Sequence, residues 1–138
     1  MLGLGVVGIG AMFGLPAATY IFAASPAGKA GDRFGTSVVM FWGHVVLAVC
    51  YILIGPPAFL GRLPLPALWA TQVASLSAIG VGVSMTLIPA MPHMLQSLQA
   101  AGVRNATETS SGLFSSAYSL GEFLGLLLGG VLTDAVGF

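Results

Sequence analysis

The chain has 138 residues, 57% hydrophobic and only 6% charged, with a mean hydropathy of +0.99. A water-soluble domain carries roughly 25% charged residues, so these few charges cannot coat a globule and lipid must solvate most of the surface. Four basic and four acidic residues cancel, which removes nucleic acid as a partner, and the single cysteine, Cys50, removes an internal disulfide and a cysteine-based metal cluster.

The first apolar run covers residues 2–24 and is long enough to span a hydrocarbon core of about 30 Å. No basic region precedes it and it continues past twenty residues, so it is not a signal peptide. Gly3, Gly5, Gly8, Gly10 and Gly14 suit close helix packing, and Pro16 predicts a kink. A polar segment, 25–36, is expected to be a loop. The second span is 37–54, with His44 and Cys50 inside it. Cys50 reads as a packing residue, and His44 as a core or interfacial histidine. Gly55, Pro56 and Pro57 end this span, and Arg62 marks the following loop.

Pro64 and Pro66 open the third span, 67–89. Pro89 and Pro92 are expected to break or bend its far end. Gly80, Gly82 and Ser84 give this helix a small face suited to close packing. A polar loop is expected over 96–111, holding Arg104, Asn105 and Glu108. His93 reads as interfacial, and Tyr20 and Tyr51 as anchors near span ends. The fourth span is 112–132, after which Asp134 leads into a further loop.

The fourth span carries the most information. Ser115, Tyr118, Ser119 and Glu122 fall at i, i+3, i+4 and i+7, a polar stripe on one helical face. Gly121, Gly125 and Gly129 recur every fourth residue, where a neighbouring helix can approach closely. Such a stripe cannot face lipid and must pack against protein or water. Glu122 lies near the middle of the span, so it is the candidate carrier of a proton or a cation. Tyr118 and Ser119 are within a turn of it, and Ser115 extends the polar track.

Four spans place loops one and three on one side of the membrane, and loop two with both termini on the other. Lys29, Arg33 and Arg104 against Arg62 alone put loops one and three in the cytosol. The sequon at Asn105–Ala106–Thr107 argues the other way; the charges are preferred.

The first loop holds Gly28, Asp32, Arg33 and Gly35 in the pattern G-x-x-x-D-R-x-G. An aspartate beside an arginine suits contacts with neighbouring charges or helix ends at the membrane surface. Here the chain resembles the major facilitator superfamily, whose loop between the second and third helix of each six-helix half carries G-x-L-a-D-R-x-G followed by two basic residues. Ala30 stands for the usual leucine, and Thr36 and Ser37 for the basic pair, as is more typical of the C-terminal half. The stretch 85–95, MTLIPAMPHML, is similar to the end of the tenth helix in the vesicular amine and polyamine transporter branch. Residues 115–138, with Gly125, Gly129, Gly130, Gly137 and Phe138, resemble that branch's eleventh helix.

The resemblance implies an all-α, polytopic membrane helix bundle whose four transmembrane helices are about the eighth to eleventh of a twelve-helix fold. There are two departures. Leu126 replaces a common proline after Gly125, and Ser115 stands where monoamine members carry an aspartate. The acid of this span is Glu122, two turns further along the same face. The implied function is proton-coupled exchange of organic cations such as amines or polyamines. The implied partners are the lipid bilayer, the remaining helices of a longer parent, a small organic cation and a proton. The alternative is a non-transporting four-span scaffold or subunit. No nucleotide loop, metal-ligand cluster or nucleophile triad is present in the sequence, so no enzyme, cofactor or metal is expected. Four helices are fewer than one six-helix half, so the chain is expected to be part of a transporter and not to transport by itself.

Overall fold

The computed structural model describes residues 5–54 and 64–136. Gly3, Gly55, Pro56, Pro57, Arg62, Gly137 and Phe138 lie outside the described residues. Four helices follow one another: α1 (Val6–Phe34), α2 (Thr36–Ile54), α3 (Leu65–Ala100) and α4 (Ala106–Val136). Each is long and apolar enough to cross a membrane. The chain divides into two units, Met1–His93 and Met94–Phe138, which are described separately.

In the first unit α3 is shared by two partners, and its sequence shows why. Gly80, Ser84 and Ile88 recur every fourth residue and form the stripe that meets α1. Ser75, Ala78, Gly82 and Thr86 form a second stripe that meets α2. The register follows from the contacts. Gly80 lies on Pro16 and Tyr20, Gly28 on Ile88, and Gly31 on Pro89, so α1 runs parallel to α3. Gly43 lies on Gly82 and Thr86, and Thr36 bonds His93, so α2 runs antiparallel to it.

Small residues set these distances. A side chain on Gly80 would overlap Thr19 Oγ1 and the Pro16 carbonyl, and would lie 2.9 Å from the Tyr20 nitrogen. At Gly43 an added Cβ would stand 2.8 Å from Thr86 Cγ2 and 3.1 Å from the Gly82 carbonyl. Lipid tails are as apolar as leucine, so close backbone packing drives helix association here more than apolar burial does. The buried hydroxyls are satisfied within their own helix: Ser84 donates to the Val81 carbonyl at 2.7 Å, and Thr86 to that of Val83 at 2.9 Å.

The helices are longer than the sequence reading expects. Residues 25–34, read as a loop, continue α1, because Ala27 and Gly31 are buried and tertiary packing holds the segment helical. Only Gly35 breaks the chain there. Its φ of +93° is costly for any residue with a Cβ. Its N–H closes α1 on the Gly31 carbonyl at 3.0 Å, and its carbonyl opens α2 by accepting from Val39 at 3.2 Å. Tyr20 therefore falls in the middle of α1 and not near a span end.

Pro16 and Pro26 lie inside α1, and Pro89 and Pro92 inside α3, without ending either helix. Within a membrane such prolines are tolerated because neighbouring groups re-satisfy the freed carbonyls. The ring of Pro89 packs at Gly31, where an added Cβ would stand 3.5 Å from Pro89 Cβ.

In the second unit the expected loop 96–111 shrinks to residues 101–105. The Val103 N–H returns to the Leu98 carbonyl (3.1 Å) and the Gly102 N–H to that of Gln99 (3.0 Å), with Gly102 at φ +75°. This double bond with a left-handed glycine is a standard helix stop. Glu108 in the first turn of α4 complements the positive helix end. Asp134, read as leading into a loop, lies in the last turn of α4.

Candidate functional site

Two groups of residues are the candidates: the motif at the α1–α2 corner and the polar stripe of α4. At the corner, Gly28 and Gly31 are the points where α1 rests on α3. A Cβ on Gly28 would meet Ile88 Cγ2 at 3.7 Å. Asp32 and Arg33 are exposed in the last turn of α1. The Arg33 guanidinium lies 5.4 Å from the centroid of the Phe34 ring, a cation–π contact. Gly35 is the hinge residue of the corner, and Thr36, the first residue of α2, is 3.0 Å from His93 Nδ1 of α3. The motif's two flanking glycines thus serve backbone geometry, while its two charged residues stand free of the packed surface.

The sequence reading did not find the Thr36–His93 bond, which joins residues 57 apart. Thr36 was visible only as a missing basic residue. The reading also passed over Gly43, whose signal was a glycine inside an otherwise bulky span. His44 is exposed, and its Nδ1 is 2.8 Å from the Met40 carbonyl. A carbonyl only accepts, so Nδ1 carries the proton and Nε2 is the acceptor in the neutral ring. Cys50 is buried, as a packing residue should be. It lines an apolar cleft of about 390 Å³ between α2 and α3 with Trp42, Val46, Val49, Leu53 and Ala78.

On α4, Ser115, Tyr118, Ser119 and Glu122 are all exposed. The Tyr118 ring stacks on Phe114 one turn earlier, with centroids 6.4 Å apart and planes 18° from parallel. Glu122 is the seventeenth of the 31 residues of Ala106–Val136, with sixteen before it and fourteen after. Added side chains on Gly121, Gly125 and Gly129 would have nothing within 4 Å. Among the described residues no group of three or more histidine, cysteine or acidic side chains gathers to hold a metal ion.

An all-helical chain with four membrane-length apolar helices defines a multi-pass membrane protein. Comparison with known proteins makes this specific. The chain is 32% identical over 125 residues to the MFS-type transporter SLC18B1 of Mus musculus, covering 87% of this chain and 27% of that protein. It is 36% identical over 102 residues to the protein of the same name in Rattus norvegicus, and 34% over 103 residues to that of Homo sapiens. Each of these two covers 72% of this chain and 22% of the relative. No family profile and no solved structure matches. The chain belongs to the major facilitator superfamily, a family of transporters and not of enzymes. It spans about a quarter of the length of the relatives it matches.

Proposed function

We propose that the chain forms about the eighth to eleventh helices of a secondary active carrier that exchanges protons for an organic cation such as an amine or polyamine. The observation that carries this reading is the position of Glu122, a carboxylate at the middle of α4, whose other two acids, Glu108 and Asp134, lie in its first and last turns. In such carriers substrate and coupling-ion sites lie near the bilayer midplane, between repeats. Glu122 exchanges a proton for the cation, Tyr118 and Ser119 bond it or the substrate, and Ser115 extends the polar track. Gly121, Gly125 and Gly129 receive a neighbouring helix of the longer carrier. Alternating access requires two halves moving against each other, so the activity belongs to the whole carrier. The test is uptake of a labelled polyamine by sealed vesicles containing the full-length protein. Accumulation that collapses when the proton gradient is dissipated supports the reading, and accumulation indifferent to the gradient overturns the coupling.

The corner motif takes the gating role in this reading. Asp32, exposed beside Arg33, meets helix ends of the opposite half in one state of the cycle. Asp32→Asn in the full-length carrier is expected to lower uptake by about tenfold, the effect of removing one charge-assisted contact of about 1.4 kcal/mol. Its amount in the membrane should stay normal, measured by surface labelling against uptake rate. Unchanged kinetics would reduce the motif to a turn.

Lys29, Arg33 and Arg104 are proposed to face the cytosol. Asn105 immediately precedes α4, and its carbonyl accepts from Thr109 at 2.9 Å. On the cytosolic side it carries no sugar. A glycosidase-sensitive mass shift that disappears in Asn105→Gln would reverse the orientation.

A further inference from the structure

We infer that α1 pivots about Pro16 where it crosses Gly80, so that its first part, Val6–Leu15, swings while the rest stays docked on α3. Three observations converge. The first is the difference between the two parts of α1. From Ala27 onward the helix is fixed, with Ala27 and Gly31 buried and the bare faces of Gly28 and Gly31 against Ile88 and Pro89. Before Pro16 it is far less covered: Val6 is 88%, Val7 87% and Phe13 78% exposed, and only Gly8, Met12 and Leu15 are half-buried. Side chains added at Gly10 and Gly14 would meet nothing.

The second observation is the chemistry of the boundary. Pro16 has no N–H, so the helical bond to the Met12 carbonyl is missing at this turn. Thr19 donates its hydroxyl to the carbonyls of Leu15 and Pro16 at 3.0 and 3.1 Å. Back-bonding of this kind bends helices, and here it stabilises the turn that proline opens.

The third is the fulcrum. Gly80 touches α1 at the Pro16 carbonyl, Thr19 Oγ1 and the Tyr20 nitrogen, all within one turn. Contact confined to one turn of α1 and one bare residue of α3 resists separation more than rotation, because only the short Thr19 side chain meets it. Farther along, Gly28 and Gly31 of α1 lie against the Ile88 and Pro89 side chains of α3, and these contacts oppose the same motion there. A hinge needs few residues and a local loss of hydrogen bonding, and both are present at this crossing.

The test is pulsed electron–electron spin resonance on the full chain in lipid nanodiscs, in a Cys50→Ala background. One pair of labels, at Val7→Cys and Ala70→Cys, reports the swinging part; a second, at Lys29→Cys and Met91→Cys, reports the docked part. All four positions are exposed. The first pair should give a distance distribution at least about twofold wider than the second, as expected when a proline frees one arm of a helix. Pro16→Ala, which restores the N–H, should narrow the first distribution to the width of the second and leave the second unchanged. A first pair as narrow as the second in the parent chain overturns the pivot, as does a width unaltered by Pro16→Ala. Should Pro16→Ala fail to fold, the comparison of the two pairs in the parent chain decides alone. The result does not depend on transport, so it stands or falls separately from the proposed function.

Discussion

Gly80→Ala is expected to lower the unfolding midpoint of the chain, while Gly14→Ala leaves it unchanged or raises it. Both sites are helical glycines in the membrane-spanning part, so propensity alone gives them the same sign. Replacing glycine by alanine in a helix gains up to about 1 kcal/mol. At Gly14 nothing opposes that gain, since an added Cβ meets no atom within 4 Å. At Gly80 the added Cβ meets a main-chain carbonyl, a hydroxyl that is itself held by two carbonyls, and a main-chain nitrogen. None of these is the movable end of a flexible side chain, so the helices must separate. Overpacking of this kind costs typically about 1–3 kcal/mol, and loss of the neighbouring contacts at Ser84 adds to it.

The net effect at Gly80 is therefore destabilising, by up to about 2 kcal/mol once the helix-propensity gain is subtracted. Gly82→Ala should cost less, because there the Cβ would stand 2.9 Å from Leu47 Cγ and 3.3 Å from the Gly43 carbonyl, and so overlaps no main-chain atom. Denaturant titration in detergent micelles, followed by circular dichroism, orders the three variants. Equal midpoints for Gly80→Ala and Gly14→Ala would mean that α1 and α3 do not meet at this crossing.

The number, order and approximate places of the helices were legible because apolar length is a strong signal in a chain with so few charges. Their ends were not. Residues 25–34 read as a loop because Lys29, Asp32 and Arg33 cluster there, but all three project from a helix whose other face, Ala27 and Gly31, is buried. Polarity there did not mark the end of the helix. Gly35 was recognised as part of a motif, yet its reason, a left-handed φ at a one-residue corner, depends on α1 and α2 both reaching it. Prolines misled in the same way: Pro89 lies inside α3 without ending it, its ring packed at Gly31.

The packing glycines show the limit of a periodic pattern. Gly80 and Gly82 were singled out as a small face, and they are the points where α3 meets α1 and α2. They serve two different helices, because two residues apart on a helix means opposite sides. On α4 the regular spacing of Gly121, Gly125 and Gly129 is a clearer pattern than that of Gly80 and Gly82, yet among the described residues an added Cβ at any of those three meets no atom within 4 Å. Spacing says that a helix can be approached and does not say by which neighbour. The relatives are about four times as long as the part matched here, and it is to that longer carrier that the α4 face is assigned.

In that carrier Glu122→Gln is expected to abolish the response of cation uptake to a proton gradient while leaving folding intact. Sixteen residues precede Glu122 in α4 and fourteen follow it. At 1.5 Å per residue it stands about 24 Å from one end and about 21 Å from the other, close to the midplane of a core about 30 Å thick. An acid at that depth disfavours insertion by about 2.5–3.5 kcal/mol on translocon scales, a cost that a purely structural residue has no cause to bear when glutamine would bond as well. Glutamine keeps the size of the side chain and one acceptor oxygen, but neither binds nor releases a proton. A carboxylate that serves proton and cation in turn makes the two compete, and that competition is exchange in its simplest form. Gradient-driven accumulation should then fall by about 10²-fold, the lower end of what a positioned proton-transfer group contributes. Binding of the cation at fixed pH should also weaken, because the counter-charge is gone. A Glu122 that only ties helices together predicts the opposite pattern: reduced protein in the membrane, with normal coupling in whatever remains. Uptake and membrane content measured side by side separate the two, and proton-driven uptake that survives in Glu122→Gln would place the coupling site elsewhere in the carrier.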